Sequence, residues 1–296
     1  MPPELTAAER ISKPTRMTKT RNGLFYSVGR IKAVHSLVHI LGVYHAFNFF
    51  LRCFPILRRL TRHNTVIRIN SVAGLALEEE LFKADLYHEV TQGVAIRTFA
   101  DLGCNVGWFP CYLLEATGDK TLSGLLIDGD PAMVDQARWH LEKNGLTGCL
   151  ALCGVVGCAT ESEETDFFVN PSNTQSSARS FGENHPFPVK GKVKQIKVPA
   201  LSLAKVWTAQ FGDAPIDILK IDIEGMELEF LKAEIEFIKS AAKRIVCEWH
   251  NWHVSFDELN QYIETHGFRL RGICEQDNNG GVAIYDSIDP NTEVVK

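Results

Sequence analysis

Three short stretches carry the residue types that hold ligands and move protons. The first is Asp101-Leu102-Gly103-Cys104-Asn105-Val106-Gly107-Trp108-Phe109. Its glycines let backbone approach a ligand closely, and a helix beginning after it would offer free N–H groups. The second is Asp128, 21 residues past Gly107, close to the usual separation for a carboxylate that accepts bonds from ribose hydroxyls. The third is Lys220-Ile221-Asp222-Ile223-Glu224-Gly225-Met226-Glu227, joined by Glu248-Trp249-His250. Carboxylates and an imidazole at one edge suit proton transfer. His250 is the best candidate base because histidine titrates near neutrality. His253 is next, and Lys220 reads as a partner for a carboxylate.

The elements that must position these groups read as alternating strands and helices. Val94 to Ala100 has the look of a buried strand, and a helix over 108–117 takes Pro110 in its first turn. Ser123 to Ile127 is a second strand, ending at Asp128. Asp130, just before Pro131, reads as the cap of helix 131–144. Further strands are expected near 66–69, 149–156, 164–169, 193–198, 217–222, 243–249, 268–275 and 281–286. Further helices are expected near 75–90, 202–210, 226–239 and 256–266. Such alternation predicts an α/β sheet. Glu248 and His250, two apart on a strand, point the same way, so Asp222, Glu224, Glu248 and His250 are expected to converge at adjacent strand ends. Asn170 to Pro188 is long for a connection. It reads either as a lid carrying Ser176, Ser177, Arg179 and His185 or as a surface loop.

The turn does not spell the dinucleotide fingerprint, because Asn105 stands where G-x-G-x-x-G wants its second glycine. D-x-G-x-N-x-G instead resembles motif I of class I S-adenosylmethionine-dependent methyltransferases. Together with Asp128, Asn144-Gly145-Leu146, the run from Lys220 to Glu227 and Glu248-Trp249-His250, it resembles the FkbM family over residues 65 to 285. That resemblance implies a Rossmann-like sheet with helices on both faces and a terminal antiparallel strand pair. It implies S-adenosylmethionine, held by Asp101, Gly103, Asn105, Gly107, Trp108 and Asp128. It implies methyl transfer to a hydroxyl of a small metabolite, sugar or glycan, with His250, Asp222, Glu224 and Glu248 as the catalytic set. Two departures stand out. Pro199-Ala200-Leu201-Ser202-Leu203 offers only Ser202 where the family has an acid-rich Leu-Asp-Asp, and Asp128-Gly129 replaces Glu-Pro. Other readings stay open: N-methylation of another acceptor, a non-catalytic cofactor-binding protein, a nicotinamide-dependent oxidoreductase disfavoured by Asn105, and Mg²⁺ held by Asp222, Glu248 and a further oxygen. No dense acidic cluster in the sequence requires the metal, so none is assigned.

A net charge of −5 speaks against general nucleic-acid affinity. Residues 1 to 62 nonetheless carry eleven Lys or Arg against Glu4 and Glu9. This balance suits an acidic partner, an anionic membrane surface or the acidic body of the chain itself. The expected organisation is a basic tail over 1–22, a helical N-terminal extension over 23–62 and a methyltransferase domain over 63–296. Ala33 to Leu51 lacks formal charge but holds polar residues, and it reads as packed helix rather than a membrane span. His35 and His39 read as packing or solvent-facing. Eight cysteines without disulfide or zinc spacing, and no secretory signal, point to a reducing, cytoplasmic setting with membrane association as an option.

Overall fold

The computed structural model describes residues 44–83, 87–157, 163–170, 176–178 and 193–288. In chain order the elements are α1 (Tyr44–Cys53), β1 (Ile56–Arg59), β2 (Val66–Ile69), α2 (Val72–Glu78), a π-helical turn (Glu79–Lys83), α3 (His88–Thr91), β3 (Thr98–Leu102) and α4 (Trp108–Thr117). There follow β4 (Ser123–Asp128), α5 (Pro131–Asn144), β5 (Gly148–Cys153), β6 (Val155–Val156), β7 (Glu164–Val169), β8 (Lys194–Leu201) and α6 (Leu203–Phe211). The last are β9 (Ile218–Ile221), α7 (Glu227–Ala241), β10 (Arg244–His250), α8 (Phe256–Thr265), β11 (Phe268–Gln276) and β12 (Gly280–Ser287). The chain divides into two units, Met1–His45 and Ala46–Lys296, and the second holds every strand described.

Seven strands form one sheet in the order β11-β12-β10-β9-β3-β4-β5. The five from β10 to β5 run parallel, and β12 lies antiparallel between β10 and β11. This is the terminal antiparallel pair expected from the sequence. Both faces are covered, because alternate residues of a strand point to opposite sides. On β3, Phe99 packs with Trp108, Leu113 and Val134 of α4 and α5. Its neighbours Ala100 and Leu102 pack with Trp207, Phe230 and Leu259 of α6, α7 and α8. A Rossmann-like sheet with helices on both faces is thus what the chain builds.

Strand β5 stops short of the expected 149–156. Gly154 N donates to Asp128 O at 2.9 Å, and β6 then leaves the main sheet to pair with β8. With β7 these make a small three-stranded sheet beside the C-terminal end of β4. The expected continuous helix over 75–90 is a short α-helix, a π-helical turn and, beyond residues 84–86, the separate helix α3. Ile56–Arg59, expected as helix within 23–62, is a strand paired antiparallel with β2. Its exposed Leu57, Arg58 and Arg59 give no helical stripe, and pairing supplies its backbone bonds instead. The expected tail 1–22, His35, His39, Cys158, Arg179 and His185 lie outside the described residues. The seven described cysteines are free thiols. No helix among the described residues is long and apolar enough to cross a membrane.

Side chains of α5 dock β2 where no strand does. Asn144 accepts from Val66 N at 2.7 Å and donates to Val66 O at 2.9 Å. His140 Nε2 accepts from Arg68 N at 2.9 Å and from Trp108 Nε1 at 3.1 Å, which fixes the neutral tautomer protonated at Nδ1, beside the carbonyls of Val106 and Gln136. Burial lowers the pKa of His140 from 6.5 to about 4. An unfolded chain therefore takes up a proton between those values that the folded chain refuses. The sign follows: the group is silent above pH 6.5, and stability falls as pH drops toward 4. The wild type should lose about 2 kcal/mol more between pH 7 and pH 5 than His140→Gln in denaturant titrations. Parallel pH dependence in the two proteins would refute the buried neutral imidazole.

Candidate active site

The turn after β3 is shaped by backbone contacts on two sides. Gly103 N and Cys104 N both donate to Ile127 O, at 2.9 and 3.1 Å, which clamps the turn to the end of β4. Gly103 has φ 75°, and a Cβ there would sit 1.6 Å from Asp222 O, so only glycine lets the turn lie against the end of β9. Asn105 adopts φ 48°, a left-handed conformation that Asn tolerates better than most residues. Gly107, also left-handed, caps α4, and a Cβ on it would meet Ala137 Cβ of α5 at 2.7 Å. The two glycines thus serve close packing of the cradle as much as access to a ligand.

A cleft opens over this turn at the C-terminal ends of the strands, where ligands sit in open α/β sheets. Gly103, Asn105, Asp128, Asp222 and Glu224 line its polar side, and Ile127, Met133, Val155 and Phe167 line its apolar side. Asp128 accepts from Asn105 N and from Asp130 N, each at 2.8 Å. Burial pushes its carboxyl up to about 7, against the two N–H bonds that favour its charged form. Asp130 caps α5 by accepting from Ala132 N at 2.9 Å, the role read from its place before Pro131. A carboxylate facing the cleft, a tight turn beneath it and an apolar wall suit a nucleoside ligand. They fit the adenosine half of S-adenosylmethionine.

Beside the cleft lies a knot of charge. Lys220 is buried, 3.0 Å from Asp222 Oδ2 and 3.5 Å from Asp101 Oδ1, its register partner on β3. Burial opposes its charge, but Asp222 and Asp101 outweigh burial and hold the ammonium well above its ordinary pKa. Asp101 is fully buried, and neither of its oxygens has a well-formed hydrogen bond among the described residues. Burial, opposed by Lys220 and reinforced by Asp222, raises it to about 6. Asp101 thus faces Lys220 beneath the turn and is not among the residues that line the cleft.

His250, at the end of β10, is gripped from two sides. Its Nδ1 lies 2.9 Å from Glu227 Oε1 and its Nε2 lies 3.3 Å from Glu224 Oε2. Burial alone would lower its pKa. The hydrogen bond and charge of Glu227, then the charges of Glu224 and Glu248, push it instead up to about 10. Both ring nitrogens of His250 face carboxylates, an arrangement that favours the imidazolium over a free base. His253 lies on the exposed turn that follows, its ring against Gly225. Burial, with the charge of Asp222, raises Glu248 to about 8, and burial also raises Glu224 well above the usual carboxylate range.

Gly103, Asn105, Asp128, Asp222 and Glu224 meet at the cleft. Asp101, His250 and Glu248 stand behind them, linked through Lys220 and Glu224. Gly107 and Trp108 do not line it. Trp108 is 2% exposed and packs edge-on against Phe82 and His140, because the first helical turn rotates it into the core. Sequence reading missed three contributors. Glu227 was visible in its motif but unassigned to His250. Phe167 reaches the cleft from the small sheet, pressed against Gly129. Ser177 Oγ donates to Glu224 O at 2.8 Å, so the described part of the 170–188 segment does reach the site, with Ser176 in the cleft wall.

Residues 101–270 match the family described as the methyltransferase FkbM domain, more than half of the chain. No curated protein matches. Solved structures that resemble it include methyltransferase FkbM from Methylobacillus flagellatus KT, at 17% identity over 72% of this chain and 51% of that one, TM-score 0.43. A SAM-dependent methyltransferase from Aquifex aeolicus matches at 16% over 71% and 92%, TM-score 0.40. M. capricolum TrmK in complex with S-adenosyl-homocysteine matches at 13% over 69% and 68%, TM-score 0.40. Asp128→Ala should weaken S-adenosylhomocysteine binding by about 1–3 kcal/mol in calorimetry, the cost of leaving polar groups unpaired. Unchanged affinity would remove Asp128 from the cofactor site.

Proposed function

The chain belongs to the FkbM methyltransferase family and uses S-adenosylmethionine, and we propose that it methylates a hydroxyl of a small metabolite, sugar or glycan. The observation that carries this reading is the pair of carboxylates, Asp222 and Glu224, on the cleft wall next to the cofactor turn. A hydroxyl donates to a carboxylate and can lose its proton to it. The sulfonium supplies a methyl group that is already activated. The protein's own work is to place the acceptor oxygen in line and to keep water out, and positioning of this kind accounts for much of the rate.

Each residue has a distinct part in that task. Asp128 accepts hydrogen bonds from ribose hydroxyls, while Met133 and Phe167 offer the base an apolar wall. Asp101, buried beneath the turn, holds Lys220 in place. Asp222 and Glu224 orient the acceptor hydroxyl, with Asp222 steadied by Lys220 and Glu224 by His250. Glu248, behind them, adds negative charge. The acidic edge repels phosphates, which supports a small neutral acceptor over nucleic acid. Exposed Phe49, Phe50, Phe54 and Leu57 beside Arg52, Arg58 and Arg59 support a peripheral contact of the basic region with an anionic membrane. Free thiols support a reducing, cytoplasmic location.

The test is transfer of labelled methyl to matched hydroxyl, amine and RNA acceptors. A hydroxyl acceptor should be methylated. Asp222→Asn should then lower turnover by about 10²–10⁴-fold with S-adenosylhomocysteine still bound. Product carrying the label on nitrogen or on RNA would replace the hydroxyl reading.

A further inference from the structure

Asp222, Glu224 and His250 each offer one ligand atom, and these atoms lie within 4.8 Å of one another. Around a divalent cation at about 2.0–2.2 Å, donor atoms stand no more than about 4.4 Å apart. The three groups thus need move only a few tenths of an ångström to close on an ion. His250 is already oriented as metal-binding histidines are, with its far nitrogen held by a carboxylate. Glu227 Oε1 takes Nδ1 at 2.9 Å and is itself fixed by Gly225 N at 2.9 Å, which leaves Nε2 facing Glu224.

The charge balance makes a separate argument. Asp101, Asp222, Glu224, Glu227 and Glu248 bring five carboxylates against the cations Lys220 and His250. Glu227 is fully buried, and its Oε2 has no partner among the described residues. Uncompensated buried charge is costly.

We propose that Asp222, Glu224 and His250 bind a divalent cation of the magnesium or manganese class, with Glu227 as the positioning residue for His250. The ion takes the place of the proton on Nε2, which is released. Its chemistry rests on the hydroxyl reading above, although its binding does not. On the ion, the acceptor O–H becomes more acidic and its proton passes to solvent at the cleft. The oxygen's electron pair forms the new C–O bond, the C–S bond breaks, and S-adenosylhomocysteine leaves uncharged at sulfur.

Mn²⁺ titrated into the chelator-treated full chain tests this, with free Mn²⁺ read by electron paramagnetic resonance. One ion per chain should bind, and Mg²⁺ should displace it. Glu224→Gln and His250→Gln should each weaken binding by about tenfold or more, and Glu227→Gln by about 10–100-fold. Calorimetry with S-adenosylhomocysteine and circular dichroism identify the variants that remain folded. Should His250→Gln unfold, Glu224→Gln carries the test. Failure to bind Mn²⁺ at millimolar concentration, or binding that both folded variants retain unchanged, overturns the site. Stoichiometric Mn²⁺ with methyl transfer to nitrogen supports the site and removes only the hydroxyl reading.

Discussion

Burying the Lys220 ammonium against Asp101 takes two formal charges out of water, with a third, Asp222, at the cleft wall beside them. Any one of them left alone in that place would cost several kcal/mol. The ammonium makes the arrangement tolerable because its two partners come from adjacent parallel strands, β3 and the end of β9, at 3.5 and 3.0 Å. The same contact fixes the relative height of those strand ends. On that height depends whether the Gly103 turn can lie against Asp222 O, and whether Asp222 reaches the cleft. Electrostatics in the core and geometry at the rim are therefore one constraint.

Much of this arrangement was legible from local pattern. The bounds of α4, β4 and α5 match the sequence expectation residue for residue, because Pro110, Asp130-Pro131 and Gly145 mark helix ends by backbone chemistry alone. Asp128 was singled out by spacing, and it lies in the cleft wall beside Asn105. Trp108 lies in the core and not in the cleft lining, because nearness to the turn in sequence says nothing of which way the first helical turn faces. The clamp on His250 was hidden because Glu227 lies 23 residues away in the chain and meets the imidazole only through the packing of α7 on β10. A histidine's ordinary pKa suggested a base, whereas the carboxylates around it favour its cation. Strand β1 was missed because a four-residue exposed segment has no pattern of its own and is defined by its partner β2.

Two departures from the family pattern fall on the small sheet and its borders. Ser202, where the acid-rich segment was expected, caps α6 by accepting from Lys205 N, and Glu234 of α7 accepts from Leu203 N and Ala204 N at the same helix end. This segment is therefore spent on helix capping, and acidity at the cleft comes from the β9 and β10 ends. Asp128-Gly129 answers to the same sheet. Phe167 occupies the space that a side chain at 129 would need, so a proline there would be excluded by the ring.

Strand β12 follows β11 in the chain yet lies inside it, between β11 and β10. This order has a consequence for biosynthesis. As the chain leaves the ribosome, the parallel half of the sheet can assemble first, but β11 emerges with nothing to pair against. Until β12 emerges, the outer edge of β10 presents a row of unpaired N–H and C=O groups, the kind of template that recruits foreign strands. The parallel half of the sheet thus keeps an open edge until its penultimate position is filled, and the last described strand of the chain is the one that closes it.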